Sequence, residues 1–496
     1  MSYQRRSGNA TVDTEAVNMP AQTFVDEATN VLSAFGGLEV LILKQGMAVT
    51  NATVKNIANF ATSIPSGVTV DLSNSTTLAS ADLSILTSIG GTLILNTATS
   101  LAAIDLTNLG SLSGVLSLGG GVPLTSLSLP NLTDLSGSLF LSSITGLGSI
   151  SFDSLNTFGG TIDLTSSGNG MMGLFFPNLV TFGGTITLTS AQLNGFSAPK
   201  LTGWGGACDF SQTNGNLATV DLRALTSLAN LPSVNSMALV SLNLAGLNGL
   251  DADLLLNSCS SLTDLSLPTF TSIEHILDLS NTGAVTLVTH AIEHIDGSLL
   301  LAAANLIDGF AALFDCAGTL TCPGLTSITT ATFPALTSVA GSLSVTGSIG
   351  IITQNCPVLA SIAGTMDLSY NQINGFSFNG LTTLAGTLRL NNNVATYATF
   401  TGLTSITGHL SLDSNLFGGA NSPTFNSLAT LNGTLSIRNA FDGVSIDAFF
   451  VALAATITSG TGTVDTTTDG ATAAPTSMSD DARAFLTGLG ITVTHD

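Results

Sequence analysis

The chain has 496 residues, with 31 acidic side chains against nine lysines and arginines and a net charge of −22. Charged residues make up 8% of it, against about 25% in ordinary globular proteins, so the polar surface must be Ser, Thr and Asn. Hydrophobic residues reach 44%, which excludes a disordered composition. No basic stripe favours nucleic acid or an anionic membrane as partner, and no apolar run of about 18 residues spans a bilayer.

Residues 1–14 read as a polar arm holding Arg5 and Arg6. No apolar core follows the arginines, so this start is not a secretory signal, and the chain is expected to be made without one. Residues 15–65 read as a small α/β cap or anchoring region. Phe24, Ala28, Val31, Leu32 and Phe35 fall at helical spacing, with Gly36-Gly37 as the stop. Leu38 to Leu43 (LEVLIL) reads as a strand. Val54, Ile57, Ala58 and Ala61 suggest a second helix, capped by Asn51 and ended by Pro65. Such a cap covers the edge of whatever follows, and it also offers a docking surface.

Residues 66–457 carry a repeat. One apolar position recurs as Leu93, Leu116, Leu139, Ile162, Ile186 and Cys208, and again as Leu343, Met366, Leu388, Leu410 and Leu435. A period near 23 residues means a solenoid, whose units bury their apolar faces only by stacking. Short alternating runs such as GSLFL (Gly137–Leu141) signal strands, and no unit has room for an amphipathic helix between its strands. The fold class is therefore mainly β: a parallel β-solenoid with two or three short strands per coil. Roughly sixteen coils stacked about 4.8 Å apart would extend roughly 75 Å in one run over residues 86–453. Gly90-Gly91, Gly159-Gly160, Gly183-Gly184 and Gly205-Gly206 precede the first strand, where positive φ would ease a corner. Pro130, Pro177, Pro199, Pro268, Pro323, Pro334 and Pro357 share one place, two residues before a closing apolar residue, which must be a corner outside the ladder. Residues 226–336 look less regular, with an insert at Ala302 to Pro323.

Residues 458–496 read as a Gly/Thr/Ala-rich loop (458–476) and a C-terminal cap. In the cap, Ser479-Asp480-Asp481 start a helix over Ala482 to Leu489, and Ile491 to Thr494 make a last strand.

The units, with LTSIGGTLIL (Leu86–Leu95) and FPNLVTFGGTITL (Phe176–Leu188), resemble leucine-rich-repeat solenoids of the receptor-L-domain type. The tail from Val464 is similar to terminal segments of repeat proteins found in bacterial surface and phage structural proteins. The resemblance covers about residues 65–496. It implies architecture and carries no catalytic residues.

The strongest chemical cluster is Glu274, His275, Asp278, His290, Glu293, His294 and Asp296, with three of the five histidines. Aligning Leu277 with Leu299 stacks Glu274 over Asp296, and Glu274, His275 and Asp296 form a candidate metal site, for which Ca2+ suits the carboxylates. On strands, His290 and His294 would lie about 13 Å apart, too far to share one ion. A glycosidase would need two carboxylates flanking a cleft, about 5 Å apart or more, whereas most coils carry one acidic residue or none. Thr161-x-Asp163 and Thr185-x-Thr187 resemble an ice-binding array, but Leu93-Ile94-Leu95 and Ser138-Leu139-Phe140 break it. Cys208 replaces a core Leu. Cys316 and Cys322, in one insert, form the pair nearest in sequence and are candidates for a disulfide. Sequons occur at Asn9, Asn51, Asn74, Asn131 and Asn432.

The expected function is a non-enzymatic structural or attachment protein of a virus or phage particle, bound to virion or surface-assembly proteins through residues 1–65 and presenting its coils to a host-surface glycan or protein. The alternatives are a bacterial cell-surface adhesin or scaffold, extracellular or on the cell surface, and then a polysaccharide-active solenoid enzyme. Neither nucleic acid nor membrane insertion is expected.

Overall fold

The computed structural model describes residues 40–42 and 62–495, apart from 68, 74–77, 145, 167–172, 190, 211–215, 232, 284, 288, 302–304, 307–309, 325–329, 352, 419–420, 439–442 and 468–474. The arm, both expected N-terminal helices and Asn9, Asn51 and Asn74 lie outside the described residues. The strand expected in LEVLIL is present at Val40–Ile42, paired parallel with Thr69–Asp71. The chain falls into two compact units, Met1–Asn248 with Asp264–Leu267, and Gly249–Thr263 with Pro268–Asp496. Each is a parallel β-solenoid.

In the first unit a coil has up to three strand positions. The coil beginning at Ser111 runs through Ser111–Leu112, then Val115–Ser117, then Leu127–Ser128. Each position stacks on its equivalent one coil away: Leu112 on Leu135, Leu116 on Leu139, Leu127 on Ile150. The two-residue strands form a seven-stranded corner sheet, the middle strands an eight-stranded main sheet, and the third strands a seven-stranded sheet ending at Asp264–Ser266. Alternation sets the faces, so Leu93, Leu116, Leu139, Ile162 and Ile186 are all buried. Cys208, on the last strand of that sheet, is only half-buried. Leu139→Ala should cost about 3 kcal/mol, read as a lower urea midpoint for the first unit.

The second unit has an eleven-stranded main sheet from Leu254–Leu255 to Thr492–Thr494 and a nine-stranded corner sheet from Ser272–Ile273 to Ser459–Gly460. The buried column runs through Leu254, Leu277, Leu299 and Leu320 into Leu343, Met366, Leu388, Leu410 and Leu435. The segment read as an insert at Ala302 to Pro323 therefore contains regular strands, Asp315–Cys316 and Thr319–Thr321, in a slightly shortened coil. The irregularity near residue 226 is real. Among the described residues, the coils between Cys208 and Leu254 keep their third-position strands, Thr219–Asp221 and Ser241–Asn243, without a main-sheet strand.

The glycine pairs have a different cause from the one expected. None of their members has positive φ. The second glycine instead belongs to a column, Gly114, Gly137, Gly160 and Gly184 in the first unit, and Gly318, Gly341, Gly364, Gly386, Gly408 and Gly433 in the second. At each of these a Cβ would sit closer than 3.0 Å to the carbonyl oxygen of the glycine one coil back. Backbone meets backbone here because one carbonyl takes two N–H groups: Ile89 O accepts from Ser113 N at 3.0 Å and Gly114 N at 2.8 Å.

Positive φ appears at another corner, just after the main strand. Thr97, Gly120, Ser143 and Ser166 in the first unit, and Gly324, Gly347, Tyr370, Asn392 and Ser414 in the second, have φ between 53° and 76°. This is the Ser/Gly/Asn-rich bend. The prolines are explained by a third corner. Pro130, Pro177, Pro199, Pro334 and Pro357 each occupy the second place of a four-residue turn. Leu179 N donates to Phe176 O at 3.3 Å and Leu336 N to Phe333 O at 3.2 Å across two such turns, and a fixed φ suits that place. Pro323 does not share it, because it follows a main-sheet strand, Thr319–Thr321. The first residue of the turn is often Phe, and these rings stack along the interior: Phe152 on Phe176 at 5.0 Å, and Phe378 on Phe400 on Phe425 at 5.7 and 5.1 Å.

The C-terminus departs from the expected loop. Helix α1, Gly443–Ala454, buries Ile446, Phe449, Phe450 and Leu453. The stretch read as a loop then adds another coil, with Ser459–Gly460 on the corner sheet and Thr463–Asp465 on the main sheet. Helix α2, Asp480–Gly488, is present as expected and packs on α1, and Thr492–Thr494 closes the main sheet. Ser479 does not cap α2 through its side chain. Its Oγ donates to buried Asp447 of α1 at 2.6 Å. Burial opposes the Asp447 charge, but hydrogen bonds from Ser479 and Thr476 and the Arg483 charge outweigh it and hold the carboxyl below its ordinary range. A depressed folded pKa gives stability that is present above the unfolded value of about 3.9 and lost as pH falls through the folded one. Asp447→Asn should cost about 2 kcal/mol at pH 7, seen as faster amide exchange in α1 and α2, and should flatten their acid sensitivity below about pH 4.

Candidate functional site

Two regions of the second unit carry the chemistry. The first is the acidic and histidine cluster. On the corner sheet Ser272 pairs with His294 and His294 with Asp315. His294 Nδ1 lies 3.1 Å from both carboxylate oxygens of Asp315, and the Phe314 ring stands edge-on at 6.0 Å. Glu274, His275 and Asp296 are all exposed. Each of the first two has a partner outside the expected trio: Ser272 Oγ donates to Glu274 Oε1 at 3.4 Å, and His275 Nδ1 lies 3.8 Å from Asp253. The ladder puts Asp296 opposite Glu274 as expected, since Asp296 N and Gly297 N both donate to Ile273 O. Asp278 is buried, with Ser280 N donating to it at 2.9 Å. Among the described residues, no group of three or more His, Cys, Asp or Glu side chains is placed to hold a metal ion. The arrangement is a set of cross-coil pairs on an open face.

Several other acidic residues act on their own backbone. Asp71, Asp82, Asp105, Asp163, Asp367 and Asp465 each end a strand and accept the N–H two residues on, as in Ser369 N to Asp367 at 3.0 Å. This is local turn chemistry, and it accounts for these six residues without invoking substrate.

None of the five cysteines is joined in a disulfide. Cys316 and Cys322 are both buried and do not form the disulfide considered above. Burial pushes the Cys316 and Cys356 thiols up to about 12 and raises Cys208 and Cys322 further, so none of these four is a ready nucleophile at neutral pH.

The second region is the row of left-handed bends at 347–351, 369–375, 391–397 and 414–418. A ladder of buried amides underpins it. Asn393 Oδ1 accepts from Ile373 N at 3.2 Å, and its Nδ2 donates to Leu368 O and Leu390 O, each at 3.0 Å. Asn371 and Asn415 do the same one coil either side. The sequence reading missed these three residues. Their signal was an Asn three residues after the second Leu of L-x-L, in Leu388-x-Leu390-x-x-Asn393 and its neighbours. Above the ladder Ile349, Tyr370, Tyr397 and Leu416 are exposed by 72%, 62%, 48% and 61%.

No family model matches the chain, and no curated protein matches it in sequence. No helix of the described residues is long and apolar enough to cross a membrane.

Proposed function

We propose that this chain is a non-enzymatic structural or attachment protein, a component of a virus or phage particle such as a fibre, spike or decoration, presenting its coils to a host or partner. One observation carries the reading. The polar side chains that sequence marks as chemical are used in cross-coil pairs, turns and buried ladders, while exposed aromatic and aliphatic side chains gather on a rigid row of bends. The buried asparagines supply a repeat of the form L-x-L-x-x-N-x-φ, with φ an apolar residue, and this supports kinship with leucine-rich repeats. Residues 1–65, with Arg5 and Arg6 in an otherwise acidic chain, are the proposed anchor to an acidic partner surface. A bacterial cell-surface adhesin or scaffold is the second reading, favoured by the same bends.

The test is deletion of residues 1–14. It should leave the melting temperature unchanged and release the protein from purified particles. Particles that never contain the protein, or that keep the truncated chain, would count against the virion reading. Polysaccharide turnover abolished by Glu274→Gln or Asp296→Asn would overturn the non-enzymatic one. Melting that rises with Ca2+ in the native chain, but not in those variants, would instead put a structural cation at Glu274, His275 and Asp296.

A further inference from the structure

Tyr370 occupies the left-handed bend of its coil at φ 58°. Equivalent bends use Gly324, Gly347, Asn392 and Ser414 in the same unit, and Thr97, Gly120, Ser143 and Ser166 in the first, all smaller side chains. A bulky side chain there costs roughly 1–2 kcal/mol relative to glycine. Burial does not repay that cost, because the ring is 62% exposed. An uncompensated outlier of this kind points to a ligand rather than to the fold.

Tyr397 lies on the bend of the next coil. Its ring is set against the Gly375 backbone, where a Cβ would collide with it. One side of the ring is covered and the residue remains 48% exposed. Five residue steps lead from Tyr370 to Gly375, so the two platforms lie within about 17 Å of chain. Tyr370 N donates to Asn391 O at 3.1 Å, and the Asn371 and Asn393 amides lock both bends from beneath. The exposed polar groups around the rings are Gln372, Asn374 and Thr396, with Asn391 and Asn392 half-exposed. Between Leu368 and Leu412 the only basic groups are Arg389 and His409, and acidic ones are absent. Both lie on main-sheet strands, and Arg389 pairs with Asp367 at 3.6 Å.

Resting on the attachment reading, we propose that the bends at Tyr370 and Tyr397 bind a neutral glycan chain, its sugar faces packed on the two rings and its hydroxyls paired with the surrounding amides. Aromatic faces accept the apolar side of a sugar while amides supply both donors and acceptors. An anionic glycan would meet no free cation there and would face the net charge of −22. An apolar peptide helix would need a continuous apolar groove, which Gln372, Asn374 and Thr396 interrupt.

The experiment uses the full chain on a printed array of neutral and anionic oligosaccharides, with suspended cellulose and chitin as bulk probes. Neutral glycans should be retained with little dependence on salt. Tyr397→Ala and Tyr370→Asn should each weaken retention at least about tenfold, the loss of one stacked ring. Tyr370→Asn should at the same time raise the melting temperature by about 2–4 °C, because the bend is relieved. That split between binding and stability would not follow from a purely structural role. Equal retention by the variants, retention of anionic glycans alone, or no retention would overturn the inference. A chain located on particles but silent on every glycan sinks this inference and leaves attachment standing. A chain that binds neutral glycan through these tyrosines but sits on no particle or cell surface does the reverse.

Discussion

Replacing Asn393 by Leu should destabilise the second unit by about 4 kcal/mol, although the new side chain is nearly the same size and the site is interior. The amide is 5% exposed and makes four hydrogen bonds to main-chain groups: from Ile373 N, and to Leu368 O, Leu390 O and Asn391 O. An apolar replacement leaves the buried Ile373 N–H without its partner and strips one of two amide donors from Leu368 O and from Leu390 O, which Asn371 and Asn415 still reach, at about 1–3 kcal/mol for the unsatisfied N–H and less for each carbonyl. Hydrogen exchange should show protection falling first at the bends of 368–373 and 390–395, with the first unit unaffected. Asn393→Asp should recover little, since a carboxylate accepts but cannot donate to the carbonyls. Stability equal to the native chain in Asn393→Leu would mean that water or backbone movement meets these groups.

Replacing Gly386 by Val should have a comparable effect, on the order of 4 kcal/mol, by a different route. The added atoms would sit on the carbonyl oxygens of Gly364 and Ala363. To make room, the corner must draw away and lengthen the bonds from Gly386 N to Ile362 O (2.9 Å) and Thr387 N to Gly364 O (2.7 Å). Because Gly364 and Gly408 make the same approach on either side, the strain spreads to neighbouring coils. A denaturant titration should show a lower midpoint with a similar slope. Val at Gly249, where an added Cβ meets nothing within 4 Å, is the control and should be nearly silent.

Much of the fold was legible because one-dimensional stacking turns three-dimensional contact into sequence period. The column through Leu93 and Leu343 followed directly, and so did the parallel strands and the α2–last-strand ending. What misled was the assignment of cause. Doubled glycines suggest unusual φ, but here they mark the absence of a Cβ, which only the neighbouring coil reveals. Helix α1 was counted as coil although Ile446, Phe449, Phe450 and Leu453 stand at helical spacing, because the repeat on either side dominated the reading. The coil through Thr463–Asp465 was read as loop because its Thr-rich strand carries little apolar signal besides Val464. The histidine cluster was found, but its pairing was not. His294 turns to Asp315 on the next coil, beyond the stretch from Glu274 to Asp296 that holds the cluster. Nothing in the sequence sets Tyr370 apart; its place at a left-handed bend comes from the structure alone.

The register of the sheets also has a kinetic meaning. A residue in either main sheet finds its strand partner 21 to 29 positions away, as in Leu299 with Leu320 or Val464 with Val493. For a chain of this length that is local, and topologies dominated by local pairing fold fast for their size. A ribosome adds roughly 5–20 residues per second, so each new coil emerges within seconds onto an already ordered neighbour. The edge of the growing stack is then always occupied by the chain's own next segment. Partly made copies would have little time to pair with one another, which in a long parallel β-structure is the usual route to aggregation.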